Sequence, residues 1–254
     1  MLRPMRWPGG LGLLPVVLLC AACSGAAESA PAGAVKPATH VDASAATAEP
    51  AAPAKAGPTR LVIPPAPLHG PAYLVARIRR PLHTRYGTVA DTSQFGQPVW
   101  VPVVRHRGEH GRLLVPLGKH GRVVPADLAG MPLEWRRVRV VVDLSADRMV
   151  VRDGRRTLGT FEVGKGAPAT PTPTGRFFVT DRLRFGQGSP YAPFALGLSA
   201  HVAQLPASWL GGDQVAIHYG GMGPVSHGCI HAGLDAIRLL QWRVGLGTIV
   251  VIRA

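Results

Sequence analysis

Cysteine is nearly absent: the 254-residue chain has three, and Cys20 and Cys23 both fall in the first 23 residues, which leaves Cys229 alone in everything that follows. A disulfide framework beyond residue 23 is therefore excluded. Acidic residues are few, 14 against 28 basic ones, for a net charge of +14. That excess draws the chain toward polyanions, which for an exported protein means anionic lipid headgroups or wall polymers as readily as nucleic acid. Aromatic residues are only 6% of the chain and do not interleave with the arginines, so no nucleic-acid partner is expected. There is no His-Glu-x-x-His run and no paired cysteine spacing. Although His201, His218, Cys229 and His231 could in principle serve a zinc hydrolase, the expectation is no metal and no cofactor. Beyond the apolar run Leu11–Leu19 no segment is long and apolar enough to cross a membrane.

What is present centres on Ser226-His227-Gly228-Cys229-Ile230-His231, with His218 on an apolar segment upstream. A lone thiol in an exported chain is either an inert core residue or one kept for reactivity. The thiolate is the reactive form, and an adjacent imidazole can accept the proton or, as imidazolium, hold the thiolate. Glycine at 228 permits a tight turn on which backbone N–H groups can converge toward an oxyanion. Residue chemistry alone thus points to thiol acyl transfer, with Cys229 as nucleophile and His218 as base.

The chain divides by composition. Residues 1–23 carry Arg3 and Arg6, a short apolar run and a small-residue zone ending in Ala21-Ala22-Cys23, the pattern of a secretory leader. Cys23 is the candidate lipidated residue of a lipoprotein box, with Cys20 where leucine is usual; cleavage by ordinary signal peptidase is the competing reading. Residues 24–59 are Ala- and Pro-rich and read as a disordered tether. Residues 60–135 show short β-segments at Tyr73–Ile78, Val99–Val104, Arg112–Val115 and Arg122–Val124, punctuated as in a small barrel. Residues 136–254 read as mostly β. Strands are expected at Val138–Leu144, Arg148–Val151, Thr157–Val163, Arg176–Thr180, Gln214–His218 and Thr248–Ile252. One helix is expected over Leu234–Val244, with Leu234, Ile237, Leu240 and Trp242 on its inner side.

On these residues the chain resembles the L,D-transpeptidases, the cysteine enzymes that cross-link bacterial peptidoglycan. Their signature is a histidine on a strand, a loop, then Ser/Thr-His-Gly-Cys; the matching residues are His218, Ser226, His227, Gly228, Cys229 and Ile230. The likeness extends through Val138–Ser145, Val163–Gly166, Pro171-Thr172-Pro173-Thr174-Gly175-Arg176-Phe177, Ser189–Phe194 and Leu246–Ile252. Two departures stand out. Only seven residues (219–225) separate His218 from Ser226, where relatives usually have more, and His231 replaces the usual Arg or Asn. Residues 60–135 loosely resemble bacterial SH3-like modules, with Val123 where those often have tryptophan.

The resemblance implies a mostly-β fold: an L,D-transpeptidase-type β-sandwich with one helix, preceded by a small SH3-like β-barrel that serves as spacer or binds wall peptide. It implies a Cys229 thioester formed from a tetrapeptide stem and resolved by a diaminopimelate-type acceptor, giving a 3→3 cross-link. The Tyr219 backbone carbonyl would orient His218, and backbone N–H groups around Gly228 and Cys229 would stabilise the oxyanion. Ser226, His227, His231, Tyr191 and His201 would face substrate, and carbapenems would be covalent inhibitors. Location would be the outer face of the cytoplasmic membrane, through a lipid anchor at Cys23, or the wall or periplasm. A weakly active or non-catalytic wall-binding paralogue, an L,D-carboxypeptidase and a cysteine peptidase remain as alternatives.

Overall fold

The computed structural model describes residues 61–209 and 211–254. The leader, Cys20, Cys23 and the tether lie outside the described residues. The elements in chain order are β1 (Tyr73–Arg77), β2 (Leu82–Thr84), β3 (Gly87–Val89), β4 (Trp100–Arg107), β5 (His110–Val115), β6 (Arg122–Asp127), β7 (Leu133–Arg136), β8 (Val138–Asp143) and β9 (Arg148–Asp153). They continue as β10 (Arg156–Gly166), β11 (Gly175–Arg184), β12 (Phe194–His201), β13 (Gln214–Tyr219), β14 (Pro224–Ser226), β15 (Ile230–Ala232), α1 (Leu234–Arg243) and β16 (Ile249–Arg253). Strands dominate, as the alternating valine-rich segments predict, and α1 is the one α-helix among the described residues.

The upstream residues form a five-stranded antiparallel sheet in the order β6-β5-β4-β1-β7, with a β2–β3 hairpin beside it. Its core gathers Leu74, Ile78, Val101, Leu113, Val115 and Leu128, and takes in Phe178 from β11. The hydroxyl of Tyr73 donates to the Val138 carbonyl at 2.6 Å and accepts from the Ile249 N–H at 3.0 Å, tying β1 to the second sheet. Gln97 clasps the backbone of Arg182 through both amide atoms, at 2.7 and 3.0 Å. Ser93 donates to the buried Asp181 carboxylate, which satisfies an otherwise costly internal charge.

The second sheet has nine strands in the order β14-β10-β15-β13-β12-β11-β16-β8-β9, and β10 also pairs with β9. That double use of β10 closes the sheet on itself: its first half pairs with β9, and its second half with β14 and β15. Strand β12 lies centrally and is buried from Phe194 to Ala200, so it shows no polar alternation. Helix α1 covers the barrel core with Ala236, Ile237 and Leu240. Trp242, expected on the inner side, is 80% exposed, because it falls two residues, about 200°, past Leu240 around the helix. Leu234 is also exposed.

The arrangement that positions the site is the parallel pairing of β13 with β15, in register Ile217↔Ile230, His218↔His231 and Tyr219↔Ala232. Continued one step back, that register sets Cys229 beside Ala216. Since side chains alternate along strands, 216, 218, 229 and 231 share one face.

Candidate active site

A cleft of about 280 Å³ is lined by Pro190, Tyr191, Trp209, Gly212, Gln214, His218, Tyr219, Gly220, Val225, Ser226, His227, Cys229 and His231. His218 is buried and its Nδ1 lies 2.8 Å from the Tyr219 carbonyl. A carbonyl can only accept, so Nδ1 carries the proton and Nε2 is left as the basic nitrogen. The ring is boxed by Tyr191, edge-on at 4.9 Å between centroids, and by His231 at 4.6 Å. Burial first, and then the neighbouring His231, bring the His218 pKa down to about 4, against the raising effect of the Tyr219 and Pro190 backbone.

Cys229 is a free, half-buried thiol. Burial pushes its pKa up, with a backbone hydrogen bond at Ala216 working the other way. Both shifts favour uncharged forms, so the resting site holds a thiol and a neutral imidazole, and not the thiolate–imidazolium pair that sequence chemistry leaves open. Burial, and then the proximity of Cys229, raise the Tyr191 phenol as well.

The low pKa of His218 has a stability consequence. The unfolded chain takes up a proton near pH 6.5 and the folded chain only near pH 4. Stability is therefore lost as pH falls between those values, by about 3 kcal/mol at pH 4. Chemical denaturation from pH 7 to pH 4 is expected to show that loss in the wild type, and a smaller one in His218→Gln.

The loop that carries Cys229 is held by hydrogen bonds from two directions. The Ser226 hydroxyl donates to the Cys229 carbonyl at 2.6 Å and accepts from the Gly228 N–H at 3.1 Å. The Thr170 hydroxyl donates to the Ser226 carbonyl at 3.1 Å, and that carbonyl also accepts from the Ala167 N–H at 2.9 Å. The Thr172 hydroxyl accepts from the Gly166 N–H at 2.8 Å and donates to the Gly228 carbonyl at 3.0 Å. The Pro-Thr-Pro-Thr-Gly run thus supplies the threonine hydroxyl that fixes Gly228. Thr172→Val removes it and leaves a buried donor and a buried acceptor unpaired, a cost of about 2–4 kcal/mol. A lower denaturant midpoint with unchanged m, together with slower acyl transfer, is the expected result.

Two site expectations are corrected. Backbone N–H groups around Gly228 and Cys229 were expected to face an oxyanion, but that of Gly228 is taken by Ser226 within the loop, and Gly228 does not line the cleft. His201 does not reach the cleft. The β12–β13 register shifts between Gly197 and His201, so His201 pairs opposite Gln214, at the far end of β13 from His218. Its Nδ1 meets Asp213 at 2.9 Å, and its side chain lines a different cavity with Thr88, Ser93 and Asp181. The four candidate zinc ligands are therefore not assembled, and among the described residues no group of three His, Cys, Asp or Glu is arranged to hold a metal.

The remaining candidates line the cleft in distinct ways. Ser226 is buried, with its hydroxyl spent on the loop. His227 is exposed and stacks on Trp209 at 4.3 Å, 22° from parallel. His231 turns Nδ1 to the Gly221 carbonyl at 3.0 Å and so anchors the short 219–225 loop. That loop rides directly on the His231 ring, since a Cβ at Gly220 would lie 2.6 Å from it. Sequence reading missed Trp209 and Gln214; tryptophan beside Gly211-Gly212 was the available signal for the first, and nothing local marks the second.

The family model for the YkuD L,D-transpeptidase catalytic domain matches residues 137–252. Among solved structures, the chain is similar to Bdellovibrio bacteriovorus Bd1075, with 19% identity over 46% of this chain and 48% of that one, at a TM-score of 0.37. It spans about half the length of that protein. It is also similar to L,D-transpeptidase 1 of Mycobacterium tuberculosis, with 23% identity over 61% and 76% of the two chains and a TM-score of 0.34. A third similarity is to the L,D-transpeptidase LdtMt1 in complex with imipenem, with 19% identity over 72% and 82% and a TM-score of 0.38. The comparison with curated proteins returned no match. A lone thiol and a tautomer-locked imidazole on one face of a parallel strand pair lie inside residues 137–252, the segment of this chain that matches the L,D-transpeptidase catalytic domain family model.

Proposed function

We propose that the protein is a peptidoglycan L,D-transpeptidase that forms 3→3 cross-links through a Cys229 thioester. The observation that carries this reading is the shared face of β13 and β15, which brings His218 and Cys229 into one cleft while the Tyr219 carbonyl fixes Nε2 as the free base. In the first step Nε2 of His218 takes the thiol proton as Sγ attacks the carbonyl between the L-centre of a diaminopimelate-type residue and the terminal D-alanine. Because the resting pair is neutral, ionisation is coupled to attack and not stored beforehand. With the Gly228 N–H engaged by Ser226, the Cys229 N–H is the loop donor assigned to the oxyanion. The imidazolium then protonates the leaving D-alanine amine and a thioester remains. The side-chain amine of a second stem attacks it, gives its proton to His218 and restores the thiol.

The exposed His227–Trp209 stack and Tyr191 border the cleft where stem peptide would lie. A carbapenem would acylate the same sulfur. The leader would export the chain, with Cys23 as its lipid anchor, and the upstream sheet would act as a spacer fixed to the catalytic domain by Tyr73, Ser93 and Gln97. Incubation with disaccharide-tetrapeptide is expected to yield free D-alanine and a 3→3 dimer in equal amounts, with casein untouched. Casein cleavage without D-alanine release would overturn the assignment in favour of an ordinary cysteine peptidase.

A further inference from the structure

A second feature of the molecule has no part in the reaction: an arginine-lined groove on the outer face of β8, β9 and β16. Its volume is about 620 Å³, and Arg139, Arg148, Arg152, Arg155 and Arg253 line it over an apolar floor that includes Val141 and Val150. The alternation of β8 and β9 explains the face: Val140, Val142, Met149 and Val151 point into the core, so Arg139, Val141, Arg148, Val150 and Arg152 point out.

The cluster is under electrostatic tension. Arg139 and Arg152 are direct cross-strand partners, a placement that destabilises a sheet when both are cations. Of the five arginines, only Arg253 forms an ion pair among the described residues, with Asp143 at 2.8 Å. Asp153 is occupied by Arg137 and Arg243, and Asp143 and Glu162 lie opposite Arg148 in the β8–β9 and β9–β10 registers without bridging it. The Nε of Arg139 is buried with no hydrogen-bond partner. Four guanidinium groups thus line one groove without an ion pair among the described residues.

The geometry points to a binding groove for a linear phosphodiester polymer of the polyol- or sugar-phosphate class. Guanidinium groups pair with phosphate oxygens in bidentate fashion, and neutralising them would relieve the Arg139–Arg152 repulsion. Arg148 and Arg152 are four residues apart on one strand, about 14 Å, which suits phosphates spaced along a chain better than one small anion. The apolar floor between basic rims makes a trough, a shape for a strand and not for a flat bilayer. No aromatic side chain lines it, so nucleobases would find no stacking surface.

The test is titration of the full chain with inorganic polyphosphate at 50 and 200 mM salt, comparing wild type, Arg139→Gln/Arg152→Gln, and Arg105→Gln/Arg112→Gln. The last pair is cross-strand too but lies on β4 and β5, away from the groove, and removes equal charge. The groove variant is expected to bind at least about tenfold more weakly, with the log K against log salt slope reduced by about 1.5, while the control stays within about threefold of wild type. The groove variant should unfold at the same or a higher temperature, since it loses a like-charge pair. Equal weakening in both variants, or none in the groove variant, would overturn the proposal and assign the affinity to overall charge. Tighter, groove-dependent binding to phosphatidylglycerol vesicles or to single-stranded DNA than to polyphosphate would overturn it in favour of a membrane or a nucleic acid.

Discussion

Cys229→Ala is expected to abolish D-alanine release from disaccharide-tetrapeptide, a fall of at least about 10⁴-fold, while thermal unfolding stays within a few degrees of wild type. Removal of a nucleophile that acts with its base as a unit costs about as much as removal of the whole unit, so little residual rate should remain. No second thiol lies in residues 24–254, where Cys229 is the one cysteine. The fold should tolerate the change, since the Cys229 side chain faces the cleft. The loop bonds of Ser226 and Thr172 engage the backbone carbonyls of residues 229 and 228, which alanine preserves at position 229. A variant that lost structure along with activity would reveal instead a packing role for the sulfur.

Gly228→Ala is expected to damage both stability and catalysis. Gly228 has φ +101°, a conformation that L side chains rarely adopt, and an added Cβ would lie 2.4 Å from Cγ2 of Val202. The backbone cannot retreat freely, because the Gly228 N–H is held by Ser226 and its carbonyl by Thr172. Strain and clash together set the loss at about 3–5 kcal/mol, read as a lower denaturant midpoint. Acyl transfer should fall by more than about 100-fold, since a displacement of the loop by even an ångström misaligns the thiol with its base. Adding Val202→Ala to Gly228→Ala should restore part of the stability, because it removes the clashing methyl group, but little of the activity, because the φ strain remains.

The contributions of sequence and coordinates divide along physical lines. Cys229 and His218 stood out as candidates because chemistry restricts which residue types can perform thiol acyl transfer, and because the motif around the thiol is local. That they share a face was not, since the β13–β15 pairing is a parallel contact across an intervening loop whose register no local pattern encodes. Most strands declared themselves by alternation, and β12 did not because both of its faces are buried. His201 was misplaced because it ends β12 opposite Gln214, at the far end of β13 from His218. The threonine hydroxyls under the Cys229 loop were invisible for a different reason. Thr172 sits 56 residues from the carbonyl it fixes, and a proline-rich run read alone reports only stiffness.

Intact-mass spectrometry after exposure to a carbapenem tests most directly whether the Cys229 sulfur is the reacting atom. Wild-type protein is expected to gain the mass of a single drug molecule, with the adduct mapped to Cys229, and Cys229→Ala is expected to remain unmodified under the same conditions. An unmodified wild type, or an adduct that persists in Cys229→Ala, would contradict the account.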